Sequence, residues 1–168
     1  AEAERQRELS RLYAQALDAV RSEDWGSAIK ILEELSRQTP AYKDIDHLLE
    51  NARKREQLKD LYAEAKTLFD AQEWDAVIKV FGQISAIEPD HPDPDGLLPS
   101  AQKEAAKLQR YADLNKLYGA AVGEMEAGRW MEARRLLEKI HKSQAGFLET
   151  ERLLQKVDEE LRKEKGIS

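Results

Sequence analysis

The sequence predicts an all-α protein, a helical repeat array of three units built from about seven helices, two of them long and each shared between adjacent units. Three observations predict it. The stretch Leu12 to Pro40 recurs from Leu61 and again from Leu117. Each copy carries Leu-Tyr, a small residue (Ala16, Ala65, Ala121) and a Trp twelve positions after the Tyr (Trp25, Trp74, Trp130). Those are the only three tryptophans in the chain, so the register is not chance. Within each copy, apolar residues return at spacings of three and four, the period of an amphipathic helix. Finally, 41% apolar and 36% charged residues, with few Gly and Pro among 168 positions, suit helices joined by short turns.

The first helix covers residues 2–22, its apolar positions being Leu9, Leu12, Tyr13, Ala16, Leu17 and Val20. Ser22-Glu23-Asp24 breaks it, and Asp24 is placed to cap the next helix through its carboxylate. Trp25, Ala28, Ile29, Leu32 and Leu35 give that second helix one apolar face. Thr39-Pro40 reads as an N-cap followed by proline at the first helical position of a third helix. That third helix carries Ile45, Leu48, Leu49 and Ala52, and no turn residue separates it from Phe69. It is therefore expected to run straight into the first helix of the second copy.

The second copy follows without gaps, Leu12 mapping to Leu61 and Asp44 to Asp93, an offset of 49. Between the second and third copies the offset is 56, as from Trp74 to Trp130. The seven extra residues fall between about Ala101 and Leu117. Seven residues make two helical turns and rotate the apolar face by only about 20°, so a continuous helix tolerates them. A second long helix is thus expected from near residue 99 to 127, ending at Gly128, with its left-handed capping freedom. Leu154, Val157 and Leu161 end the last helix, whose other side is charged like that of a terminal cap.

The Trp-to-Pro part of each copy resembles a tetratricopeptide repeat, whose pattern is A-x3-F followed by a helix-ending Pro. The matching positions are Ala28/Leu32/Pro40, Val77/Phe81/Pro89 and Ala133/Leu137, with Ala145 in place of the last Pro. The period of 49 to 56 departs from the family's roughly 34 residues, and a third helix is added per unit. The resemblance implies a right-handed α-solenoid forming a single repeat domain over 1–168, with units near 9–57, 58–113 and 114–165. It also implies partner binding on the first-helix surface: Tyr13, Leu17 and Arg21; Tyr62, Lys66 and Phe69; Tyr118, Val122 and Met125. Each Tyr offers apolar area plus a hydroxyl; the alternative is that each packs inside its unit near the Trp. The function implied is a non-catalytic protein–protein scaffold. It would be a cytoplasmic accessory module of a larger bacterial signalling or effector protein, and a start at Ala1 without Met fits a domain of a longer chain. The partner would be a peptide, a helix or a neighbouring domain. The rival is a structural module that self-associates, as a homodimer, or spaces two domains.

Other chemistries find little footing. The absence of cysteine removes disulfides, thiolate metal sites and cysteine nucleophiles. No apolar run reaches membrane-spanning length, and a net charge of −6 disfavours nucleic acid and acidic membrane surfaces. His47, His91 and His141 fall at unrelated repeat positions and read as surface residues. No phosphate loop or serine elbow is present, so no enzyme and no cofactor are expected. Asp93, Asp95 and Gly96 resemble part of a calcium loop, but His91 would stand at its first ligand position and Gln102 at its closing one, so no metal is expected. Asp93 and Asp95 also match Asp44 and Asp46, where acidic residues favour the positive end of a helix. The basic rows Arg134, Arg135, Lys139 and Lys142, and Arg53, Lys54, Arg55 and Lys59, read as solvated helix faces, the first being placed to meet an acidic partner.

Overall fold

A computed structural model describes residues 1–166. Seven helices follow in order: α1 (Glu2–Arg21), α2 (Trp25–Gln38), α3 (Ile45–Asp70), α4 (Trp74–Ile87), α5 (Leu97–Glu126), α6 (Trp130–Ser143) and α7 (Thr150–Glu164). Among the described residues there is no strand, and no helix is long and apolar enough to cross a membrane. The chain is all-α, as its periodicity requires.

The turns before the three Trp-led helices share one chemistry. In each, a left-handed residue follows the helix: Glu23 at φ 59°, Gln72 at φ 59° and Gly128 at φ 74°. The next N–H reaches back five residues, Asp24 to Ala19 O, Glu73 to Leu68 O and Arg129 to Glu124 O, each 2.9 Å. This is a Schellman closure, which satisfies carbonyls the helix end would otherwise leave unpaired. Asp24 then caps α2, its carboxylate accepting the Ser27 N–H at 3.3 Å.

The reading of Thr39-Pro40 as the start of the third helix is corrected. Helix α2 continues to Gln38, and Thr39 is its C-cap, donating its N–H to Leu35 O at 2.8 Å. Pro40 stops that helix, and the left-handed Ala41 (φ 61°) and Lys43 (φ 47°) delay α3 to Ile45. A proline just past a C-cap and a proline at the first helical position look alike in one sequence. The two left-handed residues separate them here.

Both long helices are continuous. α3 spans 26 residues and α5 spans 30, the latter running through the inserted turns. It starts two residues ahead of the expected 99, where Asp93 caps it (below), and ends at Glu126, one residue before the expected 127.

The chain divides into two compact units, Ala1–Gln102 and Lys103 onward. In the first, Leu9, Leu32, Leu35 and Ile45 centre one buried cluster, and Leu58, Val77, Phe81 and Ile84 centre another. The second has its own cluster around Leu114, Leu137, Ile140 and Val157. Fully burying side chains such as Leu32 and Leu137 contributes about 2 kcal/mol each. Where α1 meets α2, Ala16 and Ala28 are both completely buried. Ala65 and Val77, and Ala121 and Ala133, are completely buried at the matching positions of the other two copies. Missing bulk at these positions lets helix backbones approach closely.

Candidate interaction site

Every tyrosine of the expected binding row is half-buried. Their packing partners come mainly from the corner that follows the second helix of each copy, not from the Trp. Tyr13 meets Tyr42 edge-on at 6.0 Å between centroids, and Tyr118 meets Phe147 at 6.3 Å. Tyr62 meets Phe81 on α4 at 6.0 Å. Tyr42, His91 and Phe147 hold matching places in the three copies, so the corner is aromatic in the first and third and polar in the second. Of the other row members, Leu17, Phe69, Val122 and Met125 are half-buried. Phe69 packs against Trp74 at 5.1 Å. Arg21 and Lys66 are exposed, paired with Asp18 at 3.1 Å and Asp95 at 3.5 Å.

The hydroxyls show why acidic residues stand before the third helices. Tyr13 Oη donates to Asp44 Oδ1 at 2.5 Å, and Tyr62 Oη donates to Asp93 Oδ1 at 2.9 Å, the same separation of 31 residues. Tyr62 Oη also accepts the Asp95 N–H at 3.1 Å. Asp93 meanwhile accepts the Leu97 and Leu98 N–H groups at 2.9 and 3.0 Å, capping α5 from outside its first turn. Burial opposes ionisation of Asp93, but these N–H donors and the Tyr62 hydroxyl outweigh it and hold the carboxyl below its ordinary range. Tyr62 moves the other way: burial, with the Asp93 and Asp95 charges, pushes its phenol up to about 12 against the opposing Asp95 N–H.

Two residues at this corner depart from the surface positions expected of them, Arg55 and His91. Arg55 grips Glu88 with both terminal nitrogens, at 2.9 and 3.3 Å, and His91 Nδ1 lies 3.0 Å from the same carboxylate. Those two partners hold Glu88 below the usual carboxylate range, His91 first and Arg55 second. The signal available in sequence was a spacing of 33 residues. Arg5 reaches Gln38 O across that spacing at 3.4 Å, Arg110 reaches Ser143 O, and Arg55 reaches Glu88. Each carries a cation to the carbonyl end of the Trp-led helix or to its C-cap, where the dipole favours positive charge.

Beside Tyr62 these elements line an open cavity of about 450 Å³. Trp25, Tyr62, Pro92 and Pro94 give it an apolar wall, Arg55 and His91 a polar one, and Glu23 and Lys59 stand at its edge. Prolines at 92 and 94 fix φ and remove two N–H donors, so the wall is stiff and presents ring carbons.

No known family, curated protein or solved structure matches the chain. What the site does must come from its own chemistry. Among the described residues no group of three His, Asp or Glu is placed to hold a metal ion. Three of the four loop carboxylates are taken up otherwise: Glu88 by Arg55, Asp93 by Tyr62 and the α5 N-terminus, and Asp95 by Lys66, while Asp90 is exposed. His47 and His141 are exposed, the latter 3.1 Å from Glu151. Arg134 pairs with Glu138 and Asp158, and Arg135 pairs with Glu132. Lys139 and Lys142 form no ion pair among the described residues.

Proposed function

We propose that the chain is a right-handed helical-repeat scaffold of the tetratricopeptide kind, a non-catalytic module that binds a peptide segment of a protein partner. The observation that carries this reading is the cavity of about 450 Å³ beside Tyr62, where an aromatic and proline wall faces cationic and hydrogen-bonding groups. Such a combination of apolar area with a few fixed polar groups suits recognition of a side chain in its backbone context. Repetition of the Leu-Tyr and Trp register supports the repeat assignment, as does the matching Tyr-to-Asp contact in the first two copies. Half-buried Tyr13 and Tyr62 extend the surface along the first helices of the unit that ends at Gln102, and Tyr118 is half-buried at the matching place in the other unit. We place the module in the cytoplasm, attached to signalling or effector domains of a larger bacterial protein.

The test is selection of peptides from a displayed random library on the immobilised protein, followed by affinity measurement. Lys59→Glu, at an exposed position on the cavity edge, and Tyr62→Phe, which frees the loop from α3, should each weaken a selected peptide severalfold. Peptides indifferent to both changes would remove the cavity from the proposal. A library yielding no binder would remove the scaffold reading itself.

One observation favours the structural rival. Leu108, Tyr111, Met131 and Leu148 are large apolar side chains left about half or more exposed, Met131 reaching 66%; joined into one patch they would form a surface that meets other proteins. Light scattering across concentration separates the two: a mass that doubles with concentration puts self-association first.

A further inference from the structure

A second recognition surface lies in the unit from Lys103 onward. An open groove of about 390 Å³ runs between α5 and α6. Ala106, Leu114 and Leu117 line it from α5, at helical spacing. That stripe covers three turns, about 16 Å of helix. Leu114 is almost fully buried, so the floor is fixed by the core beneath it.

The rim is basic. Arg110 and Lys139 face each other across the groove, Arg110 being steadied by its bond to Ser143 O. Beyond the lining itself, Lys142 lies one turn after Lys139 on α6, and Lys103 and Lys116 lie within a turn of Ala106 and Leu117 on α5. None of these four lysines forms an ion pair among the described residues. The one carboxylate lining the groove, Asp113, accepts the Gln109 amide at 2.9 Å. In a chain of net charge −6, this is a local reversal of sign.

We propose that this groove binds an acidic amphipathic helix of a partner protein. A helix satisfies its own backbone and needs from the groove only an apolar floor, whereas an extended segment would need backbone partners that two helices do not offer. Free lysines along an apolar slot select carboxylates on the incoming helix. A second copy of this chain would bring the same cations against themselves, and in its acidic loop Glu88, Asp93 and Asp95 are already engaged with Arg55, Tyr62 and Lys66, leaving Asp90 as a single exposed carboxylate. This surface is separate from the cavity beside Tyr62 and does not depend on it.

The probe is a labelled synthetic helix about five turns long, leucine along one stripe and glutamate elsewhere, titrated into the full chain by fluorescence anisotropy. A second probe carries lysine for glutamate. The acidic probe should bind saturably, gain helicity by circular dichroism, and weaken as salt rises from about 0.05 to about 0.5 M. Lys139→Glu with Lys142→Glu should weaken it about tenfold. The control pair Lys30→Glu with Lys79→Glu, which makes the same change in net charge on exposed positions of α2 and α4, should leave it within about twofold. Equal loss in both pairs, equal binding of the lysine probe, or no saturation below about 0.1 mM overturns the proposal. So does a concentration-dependent dimer that the Lys139→Glu and Lys142→Glu pair dissolves, since the occupant would then be a second copy.

Discussion

Tyr62 Oη donates a hydrogen bond to the Asp93 carboxylate and accepts one from the backbone N–H of Asp95, so a single hydroxyl ties α3 to the loop that starts α5. Tyr62→Phe leaves Asp95 N–H without its acceptor and should cost about 1–2 kcal/mol in urea unfolding. Tyr13→Phe loses one more exposed bond, to Asp44, and should cost less than about 1 kcal/mol. Tyr118 has no hydroxyl partner among the described residues, and Tyr118→Phe should be nearly silent. An equal cost at all three positions would sink this ordering. Burial and the same bonds shift the Tyr62 phenol. Tyr62 should ionise near 12 in the near-ultraviolet phenolate absorbance, and that late component should vanish in Tyr62→Phe. Because its folded value is raised, the associated stability is complete below about pH 10 and fades as pH climbs through the folded value.

The loop between α4 and α5 does at the level of an element what Asp24 does for α2, but by a longer route. Asp93 caps α5 from four and five residues ahead of the N–H groups it holds. Asp93→Ala should fray the first turn of α5 at a cost of about 1–2 kcal/mol, read as faster hydrogen exchange at Leu97 and Leu98; unchanged exchange there would mean that the cap contributes nothing. Asp93 and Glu88 both sit below their ordinary values. Depressed carboxyls stabilise above the unfolded value and lose that contribution as pH falls through the folded one, so acid below about pH 4 should loosen this corner. The helices themselves are readable from apolar spacing, and the inserted two turns from an offset that rises by seven residues. The loop is not. Its acidic residues look like a broken metal site because their partners, Tyr62, Arg55 and Lys66, sit about 30 residues earlier on another helix. Pro40 misleads for a related reason, since only the left-handed Ala41 and Lys43 show which helix it belongs to.

For the whole molecule, the division of the cores matters most. Every member of the clusters around Leu32 and Val77 lies before Lys103, and every member of the cluster around Leu137 lies after it. No buried residue occurs between Gln102 and Asp113, on a helix that continues through both. A chain ending after Gln102 should therefore fold alone, with a single cooperative urea transition and a helical circular dichroism spectrum. A disordered fragment would mean that stability propagates from the other unit, as nearest-neighbour coupling in arrays allows.

The left-handed turns carry a different kind of information, about how far the protein stands from its own optimum. At the matching turn position the third copy uses Gly128, while the first two hold Glu23 and Gln72 in a conformation that costs a side-chain-bearing residue about 1–2 kcal/mol. The chain thus contains its own worked remedy. Transplanting it as Gln72→Gly should raise the unfolding midpoint by an amount worth about 0.5–1 kcal/mol, the relief of strain exceeding the added freedom of the unfolded chain. Stability is held in reserve at these turns, within reach of a single substitution.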